Sequence, residues 1–432
     1  MKQAPALPRG LAVCLMSLVF VPQLALAAYV PALPAIGRSF GVGPGGTSSS
    51  LVGYMAAYAV CMILTGNLAD RYGSRRVQLT GLVLFTGASV LCLLAPVYEV
   101  FVAGRVLQAL GAGAGTVISR VWVQRALPEE QRLPMLTALS TVIAVTPAAS
   151  PPLAGLVVEH TSWRALFAFM AVLGAVTVGA VAKFLPAGTG TGTDTGTAAG
   201  AAGAPAGPVR PPGGLAGLGR AYRTVLANRD FTVFAGAISL AWCTYFTFTT
   251  YSSDLLQLRL GASPTLYGAL YTLVITGYVA GSTTAKRLGR TRSLEFVARS
   301  AAAVAAGAAL LMPATVRLWP HSTLSIVLPM AVCMLGVGAL FPTCQAGMMR
   351  YEGEYAGAAS GLFFFLQMAS GACYTALTGI PGSPDASALA LAIALPALSL
   401  LLLCLFALRS RPRAGQEALT AVSAGTVKSS SS

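Results

Sequence analysis

Gly66-Asn67-Leu68-Ala69-Asp70-Arg71-Tyr72-Gly73-Ser74-Arg75-Arg76 is a short charged stretch between two apolar runs, residues 48–69 and 77–96. Each run has about the 20 residues that a helix needs to cross the hydrocarbon core, because lipid leaves no backbone group unpaired. Basic residues concentrated between two such runs mark one side of a bilayer. The pattern returns 215 residues further on, where Gly281 to Arg292, with Lys286, Arg287, Gly289 and Arg290, follows the run 264–287.

The same length criterion marks twelve segments: 11–34, 48–69, 77–96, 100–123, 134–158, 164–185, 230–252, 264–287, 294–316, 321–345, 353–377 and 385–408. The sequence therefore predicts an all-α membrane protein of twelve transmembrane helices arranged as two six-helix bundles. Composition excludes soluble domains: 55% of residues are apolar and 9% charged, and the mean hydropathy is +0.72; a soluble surface needs more charge. Lys2 and Arg9 precede an apolar stretch ending in Ala25-Leu26-Ala27, so a removable leader competes with a retained first span. The run continues through Tyr29-Val30-Pro31-Ala32-Leu33-Pro34, and eleven further spans already insert the chain, which favours retention.

The net charge of +15 has a topological reading. With both termini in the cytoplasm, 22 of the 28 lysines and arginines fall on the inner side, and only Arg38, Arg164, Arg259 and Arg317 fall outside. Arg105 and Arg120 remain within a span. That asymmetry places a multi-pass protein in the cell (inner) membrane, and nucleic-acid binding loses its support. The stretch 187–215, including Gly188-Thr189-Gly190-Thr191-Gly192-Thr193, reads as a flexible linker. The expected organisation is an N-terminal bundle 1–186, a cytoplasmic linker 187–228, a C-terminal bundle 229–408 and a disordered cytoplasmic tail 409–432.

Chemistry-bearing clusters are scarce. The eight cysteines lie in apolar runs without metal spacing, and His160 and His321 stand apart in loops, so neither a metal nor another cofactor is expected. No nucleophile with a partnered base and no phosphate loop is present, which argues against an enzyme or a membrane-embedded sensor. Six-plus-six internal repeats with a midplane cavity are common among secondary transporters.

The stretch from Gly66 to Arg76 resembles the hallmark loop of the major facilitator superfamily. The resemblance implies a conformational role for Gly66, Asp70, Arg71, Gly73, Arg75 and Arg76, with Asp70 pairing with arginines or capping a neighbouring helix end; purely topogenic charge is the alternative. Arg105-Val106-Leu107-Gln108-Ala109-Leu110-Gly111-Ala112-Gly113 resembles an element of the superfamily's drug/proton antiporters, with Arg105 and Gln108 on one helical face. An arginine inside a bilayer either faces a cavity or partner or snorkels to headgroups. Pro147, Ser150, Pro151, Pro152, Ala154 and Gly155, followed by Trp163-Arg164, resemble the antiporter motif, whose kinked helix is implicated in gating; ordinary helix packing is the alternative. With Tyr29-Val30-Pro31-Ala32-Leu33-Pro34, the pattern is most similar to the Bcr/CflA branch, which includes chloramphenicol-type exporters. The similarity is good over residues 10–185 and weaker beyond.

The chain departs from that branch in one respect. Members commonly carry an acidic residue where this sequence has Ala27. Asp254, near the end of the seventh span, is the leading replacement for proton coupling, against an interfacial charge pairing with Arg259. A cavity with Arg105, possibly joined by Arg120, and no carboxylate would be electropositive. It would suit neutral or weakly anionic, phenicol-like compounds. Candidate liners of the transport cavity are Arg105, Gln108, Tyr29, Tyr54, Tyr58, Trp242, Tyr245, Tyr271, Phe364 and Gln367, with interhelical packing an equal alternative for each. The resemblance thus implies a monomeric, proton-coupled exporter of small molecules working by alternating access in the lipid bilayer. The alternative is an importer or facilitator of a metabolite.

Overall fold

The computed structural model describes residues 8–185, 214–348, 355–379 and 385–408. Among them every regular element is helical: α1 (Arg9–Ala27), a 3-10 turn (Val30–Ala32), α2 (Leu33–Phe40), α3 (Pro44–Tyr72), α4 (Ser74–Leu94), α5 (Tyr98–Ala126), α6 (Glu129–His160) and α7 (Trp163–Phe184) precede the expected linker. After it come α8 (Gly214–Ala227), α9 (Arg229–Asp254), a π-helical turn (Leu255–Arg259), α10 (Pro264–Leu288), α11 (Leu294–Leu318), α12 (Leu324–Met348), α13 (Ala356–Gly379) and α14 (Ala386–Ala407). The linker residues up to 213 and the tail from 409 lie outside the described residues.

Local chemistry sets the boundaries. Pro31 and Pro34 interrupt the first span, so α1 passes through the 3-10 turn into the short α2, which Gly41 closes at φ +67°. α9, α10, α11 and α14 each start at a side-chain cap: Asn228, Ser263, Ser293 and Asp385 accept from the amides of Phe231, Leu266, Phe296 and Ala388.

The hallmark stretch is not a loop. Gly66 to Tyr72 complete the last turns of α3, and α4 starts at Ser74, so Gly73 alone joins two rods of 29 and 21 residues. Its φ of +85° is a backbone state that side chains with a Cβ rarely adopt. Residues 214–227, placed in the linker by the sequence reading, form α8, whose Ala221 and Val225 are buried.

Eleven spans among the described residues are long and apolar enough to cross a membrane. α10 supplies the twelfth by length, at 25 residues, with Tyr267, Tyr271, Thr272, Thr276, Tyr278, Ser282, Thr283 and Thr284 diluting its apolar character. Large apolar side chains face outward where lipid would cover them, as in the α7 stripe Phe169, Val172 and Val176. Small residues fill the interior; Ala298, Ala302, Ala305 and Ala309 form the buried face of α11. Without a hydrophobic drive between helices in lipid, close approach of such small faces supplies much of the packing energy.

α1, α3, α4, α5, α6 and α7 pack as one group, and α9 to α14 as another. Two seams join them, α6 with α10 and α3 with α13. The Pro31 face of the molecule, where α1 ends and α10 starts, is interdigitated. A Cβ at Gly155 would overlap the Pro264 carbonyl, and one at Gly268 would overlap the backbone of Pro151 and Pro152. Backbone therefore meets backbone across the seam.

Candidate functional site

Between the two groups lies a chamber, with roughly 960 Å³ of space not filled by protein atoms once the open solvent at its mouth is included. α1 contributes Gln23, Leu26 and Ala27; α3 contributes Tyr54, Tyr58 and Met62; α5 contributes Thr116 and Arg120. Opposite them stand Trp242, Tyr245 and Phe246 of α9, Tyr278 of α10, Met334 and Phe341 of α12, and Phe364, Gln367 and Met368 of α13. Aromatic packing stiffens both walls: Tyr54 and Tyr58 stack with centroids 6.2 Å apart, as do Trp242 and Phe341 at 5.5 Å.

The polar content of the chamber is sparse. Tyr58 and Thr116 share a hydrogen bond of 3.2 Å. Tyr54 OH, Trp242 Nε1 and Gln367 Oε1 are buried with no hydrogen-bond partner, so the lining holds unused donors and an acceptor from both halves. Arg120 is the one charged side chain on the lining, its guanidinium 5.9 Å from the Phe364 ring centre, and no carboxylate lines the chamber among the described residues.

Six expected liners, Tyr54, Tyr58, Trp242, Tyr245, Phe364 and Gln367, face this space, and four do not. Tyr29, Arg105, Gln108 and Tyr271 lie behind its walls, at 0–1% exposure. The Arg105 guanidinium sits between the Tyr29 and Tyr54 rings, 4.1 and 4.2 Å from their centres. It donates to Gln108 Oε1 and to Ala25 O, and Gln108 Nε2 donates 2.8 Å to Ser89 Oγ. Tyr29 OH in turn is hydrogen-bonded to Ser50. One cation thereby ties α1, α3, α4 and α5 together without a carboxylate, using π faces and carbonyl oxygens as counter-charge.

Of the expected placements of Arg105, the partner holds, while the cavity and the headgroup region do not. A charge this deep in the bundle is held by close partners: two rings sandwich it and both terminal nitrogens are bonded, with Nε alone left unpaired. The sequence reading also missed Tyr278, Phe341, Gln23 and the Met side chains. Tyr278 could have been found from the one-face spacing Tyr267, Tyr271 and Tyr278 on α10.

Of the residues given a gating role, Pro151, Pro152 and Gly155 lie in the α6–α10 seam. Around them Thr272 Oγ1 donates 2.9 Å to Ala148 O, and the Glu159 carboxylate accepts from the Thr265 amide at 3.1 Å, at the start of α10. On the same face Ser253 Oγ donates 2.7 Å to Val30 O, and Gln257 Nε2 donates 3.1 Å to Pro31 O. At the opposite, Gly73 face, Arg75 donates to Ala182 O at the end of α7 in its own half, and Arg76 is exposed. The side chains of Gly66, Asp70 and Arg71 lie outside the described residues.

Asp254 ends α9 on the interdigitated face. It is 3% exposed, and neither carboxylate oxygen accepts a hydrogen bond in good geometry. It lines a second pocket with Pro34, Gly37, Arg38, Gly41, Val42, Gly43, Thr47 and Leu258.

A multi-pass helical bundle with an aromatic chamber shared by two helix groups defines a membrane carrier of small molecules. Residues 15–375 match the family model described as Major Facilitator Superfamily, and the chain belongs to that family. It is 26% identical over 406 residues to multidrug resistance protein D of Escherichia coli (strain K12), covering 93% of this chain and 96% of that one. It is also 32% identical to multidrug resistance protein MdtL of Escherichia coli O81 (strain ED1a), over 162 residues that span 38% of this chain and 41% of the relative. The crystal structure of a D-xylose-proton symporter superposes with a TM-score of 0.68 at 13% identity, over 93% of this chain and 98% of that one, a likeness of fold.

Proposed function

We propose that this protein is a proton-coupled exporter of neutral or weakly anionic, drug-like or secondary-metabolite molecules, phenicol-like in size and polarity, of the Bcr/CflA type. The observation that carries the reading is the chamber, which is aromatic on both walls and, among the described residues, has Arg120 as its one charged lining residue and no carboxylate. A lipophilic cation would meet an unopposed positive charge there. A carbonyl, nitro or carboxylate oxygen would meet a donor. The two relatives named for multidrug resistance support export of such compounds.

Alternating access follows from the seams. The bundles 1–186 and 229–408 rock about the chamber, and the charge asymmetry puts both termini, the linker 187–228 and the tail 409–432 in the cytoplasm. The interdigitated face is then extracytoplasmic, and Pro151, Pro152 and Gly155 form its gate. The transporter works as a monomer, since the chamber is built within one chain.

Uptake into inverted membrane vesicles, with and without an imposed pH gradient, tests the reading. Chloramphenicol and an anionic aromatic acid should accumulate with the gradient, ethidium should not, and Arg120→Ala should erase the preference. Ethidium as the best substrate would overturn the charge argument, and gradient-independent uptake of every compound would remove the antiport assignment.

A further inference from the structure

Asp254 and the central chamber are separate sites, and two hydrogen-bonded groups of hydroxyls lie in succession between them. α9 presents Ser252, Thr249 and Tyr245 at successive turns of one face, and α10 presents Tyr267 and Tyr271 one turn apart. The two sets pair across the helix interface. Tyr267 OH is 2.9 Å from Ser252 Oγ, Tyr271 OH is 3.1 Å from Thr249 Oγ1, and the same Tyr271 OH is 2.9 Å from Tyr245 OH. The Tyr267 and Tyr271 rings neighbour each other with centroids 6.0 Å apart. Tyr267 acts electrostatically on Asp254 at one end, and Tyr245 lines the chamber at the other.

An aromatic hydroxyl both donates and accepts, so a file of tyrosines with serine and threonine partners can pass a proton without holding net charge. A carboxylate is what such a file needs at its mouth. Asp254 is buried, without a hydrogen-bond donor in good geometry, and borders a pocket whose wall includes the exposed Arg38. Buried intramembrane carboxylates are costly unless they exchange protons or find partners.

We propose that Asp254 is the proton-accepting group of a relay that runs from the second pocket through Tyr267 with Ser252 and Tyr271 with Thr249 to Tyr245 in the chamber. This rests on the proton-coupled reading above and names the groups that would carry it. A hydronium ion in the pocket gives its proton to the Asp254 carboxylate and leaves as water. The carboxyl proton then passes to a hydroxyl oxygen as that hydroxyl releases its own proton to the next. Tyr245 delivers one proton to chamber water, and rotation of the hydroxyls restores the starting order.

The groups facing Asp254 are Arg38 of α2, Thr47 of α3, Tyr251 of α9 and Tyr267 of α10, with Arg259 one turn on in the π-helical turn. α12, α13 and α14 carry no charged side chain within their helices. The Tyr251 hydroxyl is turned away to donate 2.8 Å to Thr375 O, so the proposed relay continues through Tyr267, which is bonded to Ser252 and must turn to reach the carboxylate.

Two measurements on reconstituted full-length protein test the relay. The first needs no substrate: infrared difference spectra between acid and neutral pH should show a protonated-carboxyl C=O band that Asp254→Asn removes and Tyr267→Phe shifts. A band that survives Asp254→Asn unchanged overturns the assignment. The second is chloramphenicol accumulation driven by a pH gradient. Asp254→Asn should abolish it while measurable downhill exchange persists, and Tyr271→Phe should slow it about ten-fold. Full gradient-driven accumulation in Asp254→Asn, with wild type also active, defeats the relay and leaves the export reading standing. Absence of gradient-driven accumulation of any compound in wild type defeats both. Asp254→Glu separates loss of the carboxyl group from loss of the fold, because it should keep a carboxyl band and partial coupling; a fully uncoupled Asp254→Glu that still exchanges substrate counts against the relay.

Discussion

Two arginines on α5, fifteen residues apart, meet opposite fates. Arg105 is enclosed by two tyrosine rings, a glutamine and a backbone carbonyl. Arg120 lines the chamber beside the Phe364 ring, with Tyr58 and Tyr278 close enough to act on its charge. Both are cations within a bilayer-length helix, about two turns from opposite ends, and residue type alone does not separate them. Enclosure does: a guanidinium gripped between two rings, with both terminal nitrogens bonded and Nε alone unpaired, cements the bundle, while one facing open space is available to a ligand.

That contrast can be broken most forcefully at Arg105. Arg105→Ala strips Gln108 and the Ala25 carbonyl of their partner and leaves a void between two rings, at a cost of about 3–5 kcal/mol. A large drop in the thermal midpoint of detergent-solubilised protein, with low yield, is the expected outcome; a variant that melts like wild type would place Arg105 outside the load path of the N-terminal bundle. Arg105→Lys keeps the charge and loses the planar sandwich, so about 1–2 kcal/mol should go, readable as a smaller shift of the same midpoint.

Arg120→Ala should move the midpoint little, within about 0.5 kcal/mol, yet weaken binding of neutral and anionic probes about ten-fold, as followed by quenching of Trp242 fluorescence. Equal destabilisation by the two alanine substitutions would erase the distinction. The smallest effect is expected at Tyr54, which touches both sites: its ring covers Arg105 and its hydroxyl lines the chamber unpaired. Tyr54→Phe keeps the ring, so stability should change by less than about 1 kcal/mol while probe affinity shifts. A loss as large as that of Arg105→Lys would show that the hydroxyl, rather than the ring, supports the arginine.

Apolar length and charge asymmetry made the helical hairpins legible, because crossing a bilayer leaves little choice of backbone. The resemblance around Gly66–Arg76 and Pro147–Gly155 added the family. Helix ends were less legible: α2 separates from the first span only through Pro31 and Pro34, and α8 sits where Gly and Pro suggested linker alone. Among site residues the aromatic liners were accessible because large amphipathic rings at mid-span are few. Arg105, Gln108 and Tyr29 were misplaced, since orientation around a helix axis depends on neighbours four helices away. Tyr271 was misplaced for a related reason. It belongs to the hydroxyl file behind the wall, and a period of 3.6 does not say which partner helix a face will meet.

The single residue between α3 and α4 bears on anyone who wishes to label this transporter. With 50 helical residues fused through one mirror-image peptide conformation, the junction has no slack for a tag, a protease site or a fluorophore-bearing loop, although its basic sequence gives it the look of a convenient surface turn. Tilting α3 must drag α4 with it, as a crank turns its shaft.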